Sequence, residues 1–220
     1  MPACVSIPAA AHSHDGFDRW VTSNEFPDRC RATWIRGEIL IDMSPEEIQS
    51  HSRLKTEISR VLATFIKKHR LGQYYSDRTL LSNVDADLST EPDGMFVSTA
   101  SMKARRIVFV PTENDADRYM SLAGTPDWVV ELVSKSSVIK DTRLLKRAYL
   151  KAGVPEYWLI DARKQEMAIQ VFTLGKSGYK TVPVKRGRWK SSLFGVEFHL
   201  YRERDEFGYW EYTLDHTEPK

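Results

Sequence analysis

At 220 residues the chain is long enough to bury a sizeable core within one domain, and 41% hydrophobic with 28% charged residues is the balance of an ordinary globular protein. Its 32 Lys and Arg against 30 Asp and Glu leave a net charge of +2, which excludes a global field demanding a polyanionic partner but leaves room for a local basic patch. No run of about eighteen apolar residues occurs, so no transmembrane helix and no membrane partner are expected. Two cysteines, Cys4 and Cys30, are too few for a disulfide framework or a cysteine-rich metal site, which suits a reducing cytosol.

In chain order, residues 1–32 form an N-terminal segment expected to be partly flexible. Met1 to Asp15 carries no early cation and is broken by Pro8, His12 and His14, so it makes a poor secretion signal. His12 and His14 lie among Ser, Ala and Asp, the setting of a terminal segment rather than of a metal site. Phe17, Trp20 and Phe26, with Pro27 as a breaker, predict a short helix or turn docked on the body. Thr33 to Met43 sets Gly37 between two β-prone runs and predicts a hairpin or bulged strand pair. Ser44-Pro45-Glu46-Glu47 then announces a helix capped by Ser44, running to about Arg70 and stopped by Gly72. Its apolar stripe is Leu54, Ile58, Val61, Leu62, Phe65 and Ile66. Glu57 lies at the edge of that stripe, placed either to reach inward to a site or to face solvent. His51 reads as a hydrogen-bonded structural histidine.

Tyr74-Tyr75 and Thr79-Leu80-Leu81 predict strand, Asn83 to Asp87 a turn, and Pro92 to Val97 a short apolar strand carrying Asp93. Residues 98–125 read as an insertion: a basic cluster of Lys103, Arg105 and Arg106, a short strand Ile107 to Val110, and a polar loop. The cluster either faces phosphate or guards the edge of that strand. Beyond Asp127 to Ser134, a helix is expected over about 139–152, ended by Gly153 and Pro155, and followed by strands at Glu156–Asp161 and Met167–Phe172. Strand, helix and strand over residues 127–161 allow a parallel crossover, which makes the class α/β. Two further β candidates, Tyr179 to Val182 and Val196 to Leu200, are linked by Lys185-Arg186-Gly187-Arg188-Trp189-Lys190. Cations around one Trp either hold backbone phosphate and stack a base or form an exposed hairpin.

The chemistry concentrates on Glu131. Val129, Val130, Leu132 and Val133 are apolar on both faces of their strand, so Glu131 is an ionisable group in a setting that rejects one. Asp93 sits in a similar short strand. Two strand carboxylates brought together make a cage for a hard divalent ion. The competing reading is an ion pair between Glu131 and a nearby Arg or Lys that only holds the sheet in place.

Gly37-Glu38-Ile39, Met43-Ser44-Pro45, His51, Pro92-Asp93, Val130-Glu131, Ser134, Ser136, Asp141, Tyr149, Ala152-Gly153-Val154 and Glu156 to Asp161 together resemble the Uma-two family, assigned to restriction endonucleases within the PD-(D/E)XK nuclease superfamily. The likeness spans about residues 33–200, which are taken as the domain, with 201–220 as a C-terminal tail. It implies a restriction-endonuclease-like fold with a central mixed β-sheet flanked by helices. It also implies a Mg²⁺-dependent endonuclease acting on DNA, with Mn²⁺ as a possible substitute, and self-association, expected as a homodimer; the cysteine usage points to the cytoplasm. Asp93 and Glu131 match the metal-holding acids. The superfamily's usual lysine position, two residues after Glu131, is Val133; the alternative used by many family members, four residues after the match to Asp141, is Leu145. Lys140 is therefore the preferred cation, because at the start of the helix its long side chain can bend back toward the strand ends, with Lys146 second and Lys135 behind them. Glu57 is expected to assist through a water. The alternative function is a nucleic-acid or protein binding module that keeps the fold without turnover.

Overall fold

The computed structural model describes residues 5–28, 30–112 and 115–219. In chain order, α1 (His14–Val21) leads into the hairpin β1 (Arg31–Ile35) and β2 (Glu38–Asp42), and α2 (Arg53–Lys68) into β3 (Gly72–Ser76), β4 (Leu80–Asn83), β5 (Leu88–Thr90) and β6 (Gly94–Ser98). A short α3 (Thr99–Lys103) precedes the hairpin β7 (Ile107–Thr112) and β8 (Asp115–Gly124). Then come β9 (Trp128–Leu132), α4 (Lys146–Ala152), β10 (Glu156–Asp161), β11 (Ala168–Gly175) and β12 (Gly178–Val182). The chain ends in β13 (Arg188–Lys190), β14 (Glu197–Arg204) and β15 (Trp210–His216).

The described residues form three sheets. The central one has the order β12-β11-β10-β9-β6-β3 and is mixed, since β9 and β10 run parallel and the other pairs antiparallel. A second has the order β2-β1-β5-β4-β8-β7, and the third is β13-β14-β15. Alternation along β9 sends Trp128, Val130 and Leu132 to one face and Val129, Glu131 and Val133 to the other. The first set joins Leu54, Ile58, Leu62 and Phe65 of α2 and Trp189, Phe198 and Leu200 of the third sheet. On the opposite face Val129 and Val133 meet Tyr149 of α4 and Leu81, Leu88 and Leu122 of the second sheet. Each buried side chain of α2's stripe contributes roughly 2 kcal/mol, enough together to seat a helix whose outer face is polar. The expected α/β arrangement, a central mixed sheet with helices against it, is the one adopted, with a further sheet packed on either face.

Several local expectations are corrected. The helix does not begin at Ser44. Glu47 takes the cap position, its carboxylate accepting from the N–H groups of Gln49 and Ser50, and Ile48–Ser52 forms a π-type turn ahead of α2. The reason is competition: the Ser44 hydroxyl is engaged by Asp42 and Ser136, and Glu46 is drawn to Arg31 and Lys55. Nor does Gly72 end the helix. Arg70 turns the chain in the left-handed region (φ 54°), and the N–H of Leu71 reaches back to the Ile66 carbonyl at 3.0 Å. Gly72 instead opens β3, where a Cβ would stand 2.1 Å from the Val97 carbonyl oxygen.

The polar run after residue 114 is the ten-residue strand β8 rather than a loop. Most of its side chains are exposed on both faces, so no apolar alternation marks it. Trp189 is 2% exposed and meets Trp158 edge-on with ring centroids 4.9 Å apart. It is unable to stack on a base, and Lys185, Arg186, Arg188 and Lys190 are left as the exposed rim of a hairpin. At the amino end, Phe17 and Trp20 of α1 pack against Trp34 of β1. Cys30 is buried with a free thiol, while Cys4 lies outside the described residues. Among the described residues no helix is long and apolar enough to cross a membrane.

Candidate metal centre

β6 and β9 are antiparallel neighbours with Gly94 opposite Val130 and Met95 opposite Val129. Carried one residue further, that register sets Asp93 against Glu131, on the sheet face that looks toward α4. The N–H of Leu132 donates to Oδ2 of Asp93 at 2.8 Å and ties the two chain segments together there. Both acids are buried, Asp93 to 6% exposure and Glu131 to 2%. The Tyr149 hydroxyl of α4 donates to Oε1 of Glu131.

Two π-type turns bring the remaining groups. Lys140–Leu145, ahead of α4, carries Lys140 and Asp141, and Ile48–Ser52, ahead of α2, carries His51. Widened helical turns of this kind gather at functional sites. Nζ of Lys140 lies 3.6 Å from Oδ1 of Asp141, and Nε2 of His51 lies 3.5 Å from Oδ2 of Asp93. Lys55, one turn after His51, places Nζ 3.5 Å from Oδ1 of Asp93 and 2.9 Å from Asp77. Lys55 and Arg31 share the carboxylate of Glu46, and Arg31 also reaches Asp77 at 3.0 Å. A chain of hydroxyls links Asp42 to Asp141: Ser136 donates to Asp42 at 2.8 Å and lies 3.1 Å from the Ser134 oxygen, Ser134 donates to Ser137 at 2.8 Å, and Ser137 donates to Asp141.

The electrostatics are unbalanced at the centre. Burial pushes the Glu131 carboxyl well above the usual carboxylate range, and the charges of Asp141 and Asp93 push it further. Burial also raises Asp141, to about 6, against the opposing pull of Lys140. Burial would raise Asp93 too, but His51, Lys55 and the Leu132 N–H hold it below the ordinary value. Lys140 keeps its proton: burial works against the charge, and Asp141, Glu131, Asp93 and Asp42 more than compensate. Glu46 is lowered to about 2, since Lys55 and Arg31 outweigh its burial.

The structure brings Asp93, Glu131 and Lys140 to one cavity, which Asp141, Glu46 and Glu91 also line. It does not bring Lys146 or Glu57 there. Lys146 sets its ammonium 3.8 Å over the Phe172 ring, and Glu57 pairs with Arg60 while accepting from the Leu214 N–H at 3.0 Å. α4 turns Lys146 toward β11, and α2 turns Glu57 toward β15, both away from the acids. The ion-pair reading of Glu131 is not met at contact distance: among the described residues its side-chain hydrogen bond is to the Tyr149 hydroxyl and no Lys or Arg pairs with it, and the nearby charge of Lys140 only partly offsets its burial.

The donor set fits a hard divalent cation. The charges of Asp141 and Asp93 raise the proton affinity of Glu131, that of Asp93 raises Asp141's, and Oδ1 of Asp141 is buried without a hydrogen-bond partner among the described residues. Among the described residues no three His, Cys, Asp or Glu side chains stand as a preassembled ligand group. Mg²⁺ is commonly held by one or two carboxylates with water and substrate oxygens completing the shell, so it does not need such a group.

The family described as "Putative restriction endonuclease", Uma2, matches residues 15–201. The chain belongs to the Uma2 family. A solved structure described as a "putative nuclease belonging to DUF820", from Anabaena variabilis ATCC 29413, superposes with a TM-score of 0.55 at 20% identity, covering 83% of this chain and 90% of its own. That likeness shows the shared restriction-endonuclease-like fold. No curated protein matches the chain. The Uma2 match begins inside α1 and ends in β14, so it takes in both π-type turns and every acid of the cavity.

Sequence reasoning missed Lys55, Glu46, Arg31 and Asp77 around this Uma2 site. One signal was available: His51 and Lys55 are four residues apart, hence on one helix face, and Leu54 and Ile58 place that face near the core. Asp77 and Arg31 carried none, because they meet the site from unrelated elements.

Proposed function

We propose that this chain is a metal-dependent endonuclease that hydrolyses phosphodiester bonds in DNA, with Asp93 and Glu131 holding Mg²⁺ or Mn²⁺, Asp141 beside them, and Lys140 serving the developing charge. The observation that carries the reading is the convergence of three buried carboxyl groups on one cavity, beside a lysine, with Glu131 in no contact ion pair among the described residues. When bound, the ion supplies positive charge at the phosphate and acidifies the attacking water.

The chain's own groups do the rest. The Leu132 N–H and the Tyr149 hydroxyl fix the orientation of Asp93 and Glu131. Asp141 positions the ammonium of Lys140, whose fixed charge stabilises the extra negative charge on the phosphate oxygens by roughly 3 kcal/mol. Lys55 and His51 hold Asp93 ionised and ready to accept a cation. The proposal extends to a cytosolic setting, which suits the free thiol of Cys30, and to action as a homodimer.

The test uses the full chain and supercoiled plasmid DNA with Mg²⁺ or Mn²⁺. Nicking or linearisation is expected, lost on chelation and abolished by Glu131→Gln in a protein that melts at least as high as the parent. A Glu131→Gln protein that cuts as well as the parent overturns the proposal. Absence of divalent binding at millimolar concentration in calorimetry overturns it too. A salt-dependent mobility shift without cutting under either metal replaces the nuclease with a binding module.

A further inference from the structure

We infer that the β7–β8 hairpin is the surface through which two copies of this chain associate, which gives the homodimer of the proposed function a location. β7 is the edge strand of the second sheet, and the hairpin's base is anchored by the buried Ile107 and Leu122. Its outer part is bare. Val108, Phe109, Val110, Tyr119 and Met120 are 36% to 49% exposed, five of the twelve large apolar side chains exposed among the described residues. Alternation sets Val108 and Val110 on one face and Phe109 on the other, where its ring centroid lies 5.2 Å from that of Tyr119 and 6.3 Å from that of Tyr75. A groove of about 280 Å³ lined by Tyr75, Met102, Phe109 and Tyr119 runs along that face. Although β8 pairs with β4, apolar groups stay partly exposed on both faces of the hairpin, and apolar clustering of this extent marks an interaction site.

The charges select a second copy as the occupant. Lys103 and Arg105 are exposed at the base of the hairpin, while Asp115 and Asp117 are exposed toward its tip, where Arg118 is the one cation beside them among the described residues. A two-fold axis runs the two hairpins antiparallel, so the acidic tip of each copy meets the basic base of the other and the apolar middles face each other. The patch is thus self-complementary, as an isologous contact requires. The five apolar side chains expose roughly 400 Å², about half of the ~800 Å² per partner in a standard interface, and the groove and charged ends supply further surface. None of these residues lines the acidic cavity.

Sedimentation velocity on the full chain tests this. The parent is expected to be a dimer and Phe109→Asp with Tyr119→Asp a folded monomer by circular dichroism. Lys103→Glu with Arg105→Glu, or Asp115→Lys with Asp117→Lys, should each weaken the dimer about tenfold or more, and all four changes together should restore it to within roughly threefold. A parent that stays monomeric at high micromolar concentration, as it would if a different protein occupied the hairpin, overturns the inference. So does a dimer indifferent to the apolar pair, or charge reversals that fail to rescue one another. The plasmid assay is read separately, so cutting without dimerisation, or a dimer that does not cut, assigns failure to one proposal and not the other.

Discussion

The hydroxyl of Tyr149 donates to Oε1 of Glu131 and so couples helix α4 to a carboxyl group at the middle of the central sheet. A hydrogen bond to the charged form lowers a carboxyl pKa, and here it works against burial and the two neighbouring acids. Tyr149→Phe removes that contribution and moves Glu131 further up, so a proton competes better with a cation at neutral pH. Calorimetry should find Mg²⁺ affinity lowered by roughly 10- to 100-fold, and the pH of half-maximal metal-dependent cutting should rise. Unchanged affinity would remove Tyr149 from the site.

The two lysines preferred from the sequence are separated by their surroundings. Lys140 lies 3.6 Å from Asp141 inside the cavity, whereas Lys146 rests on the Phe172 ring. Lys140→Ala should therefore lower the rate of metal-dependent cutting by about 10²- to 10³-fold with little effect on DNA affinity at saturating metal. Lys146→Ala should stay within about threefold of the parent rate and lose only packing, roughly 1 kcal/mol of cation–π contact. Equal effects of the two changes would contradict this assignment.

Asp141 sets a pH dependence. Its folded value, about 6, lies above the ordinary 3.8. The folded chain thus holds this proton more tightly than the unfolded chain, and stability must rise as pH falls through the window from about 6 to about 4, by up to about 3 kcal/mol. His51 acts in the same sense at higher pH: burial lowers its value, but Asp93 raises it on balance, so its contribution fades as pH rises. Glu46, lowered to about 2 from 4.5, and Asp93, lowered from 3.8, act in the opposite sense, and their contributions are lost as pH falls below those ordinary values, from the lower edge of this window downward. Melts in the presence of chelator should give a higher midpoint near pH 5 than near pH 7. Asp141→Asn should raise the pH 7 midpoint by several degrees and flatten the dependence, because the amide oxygen still accepts from Ser137 without the charge. A parent midpoint that falls steadily from pH 7 to pH 5 would exclude the assignment.

Trp189 belongs to the core beneath the third sheet rather than to a nucleic-acid surface. Trp189→Ala should cost about 3–5 kcal/mol of stability in urea melts. Trp189→Phe, which keeps an aromatic against Trp158, should cost less and leave DNA affinity unchanged. A loss of affinity without a loss of stability would return the residue to the surface role.

Much of this was legible in one dimension because it depends on periodicity. The apolar stripe from Leu54 to Ile66 seats α2, Gly37 turns the β1–β2 hairpin with φ 84°, and Gly153 ends α4 with φ 74°, each a local consequence of side-chain spacing or backbone sterics. Glu131 announced itself by being charged where its neighbours are apolar. Ser44 misled as a cap because its hydroxyl is bound to Asp42 and to Ser136, 92 positions away. β8 misled because a ribbon exposed on both faces leaves no pattern of burial to read.

Composition and spacing by themselves determined that the chain folds as α/β, which stretches form its inner strands, and that Asp93 and Glu131 are acids out of place. Only the tertiary structure decided which cation accompanies them, since Lys140 and Lys146 differ by six positions and end on different neighbours. It also decided that His51 and Asp141 line the cavity and that Lys55 lies against Asp93, while Glu57 lies elsewhere. Those outcomes depend on strand register and on the widened turns that aim side chains, and electrostatic coupling between groups falls off with distance in space rather than with separation along the chain.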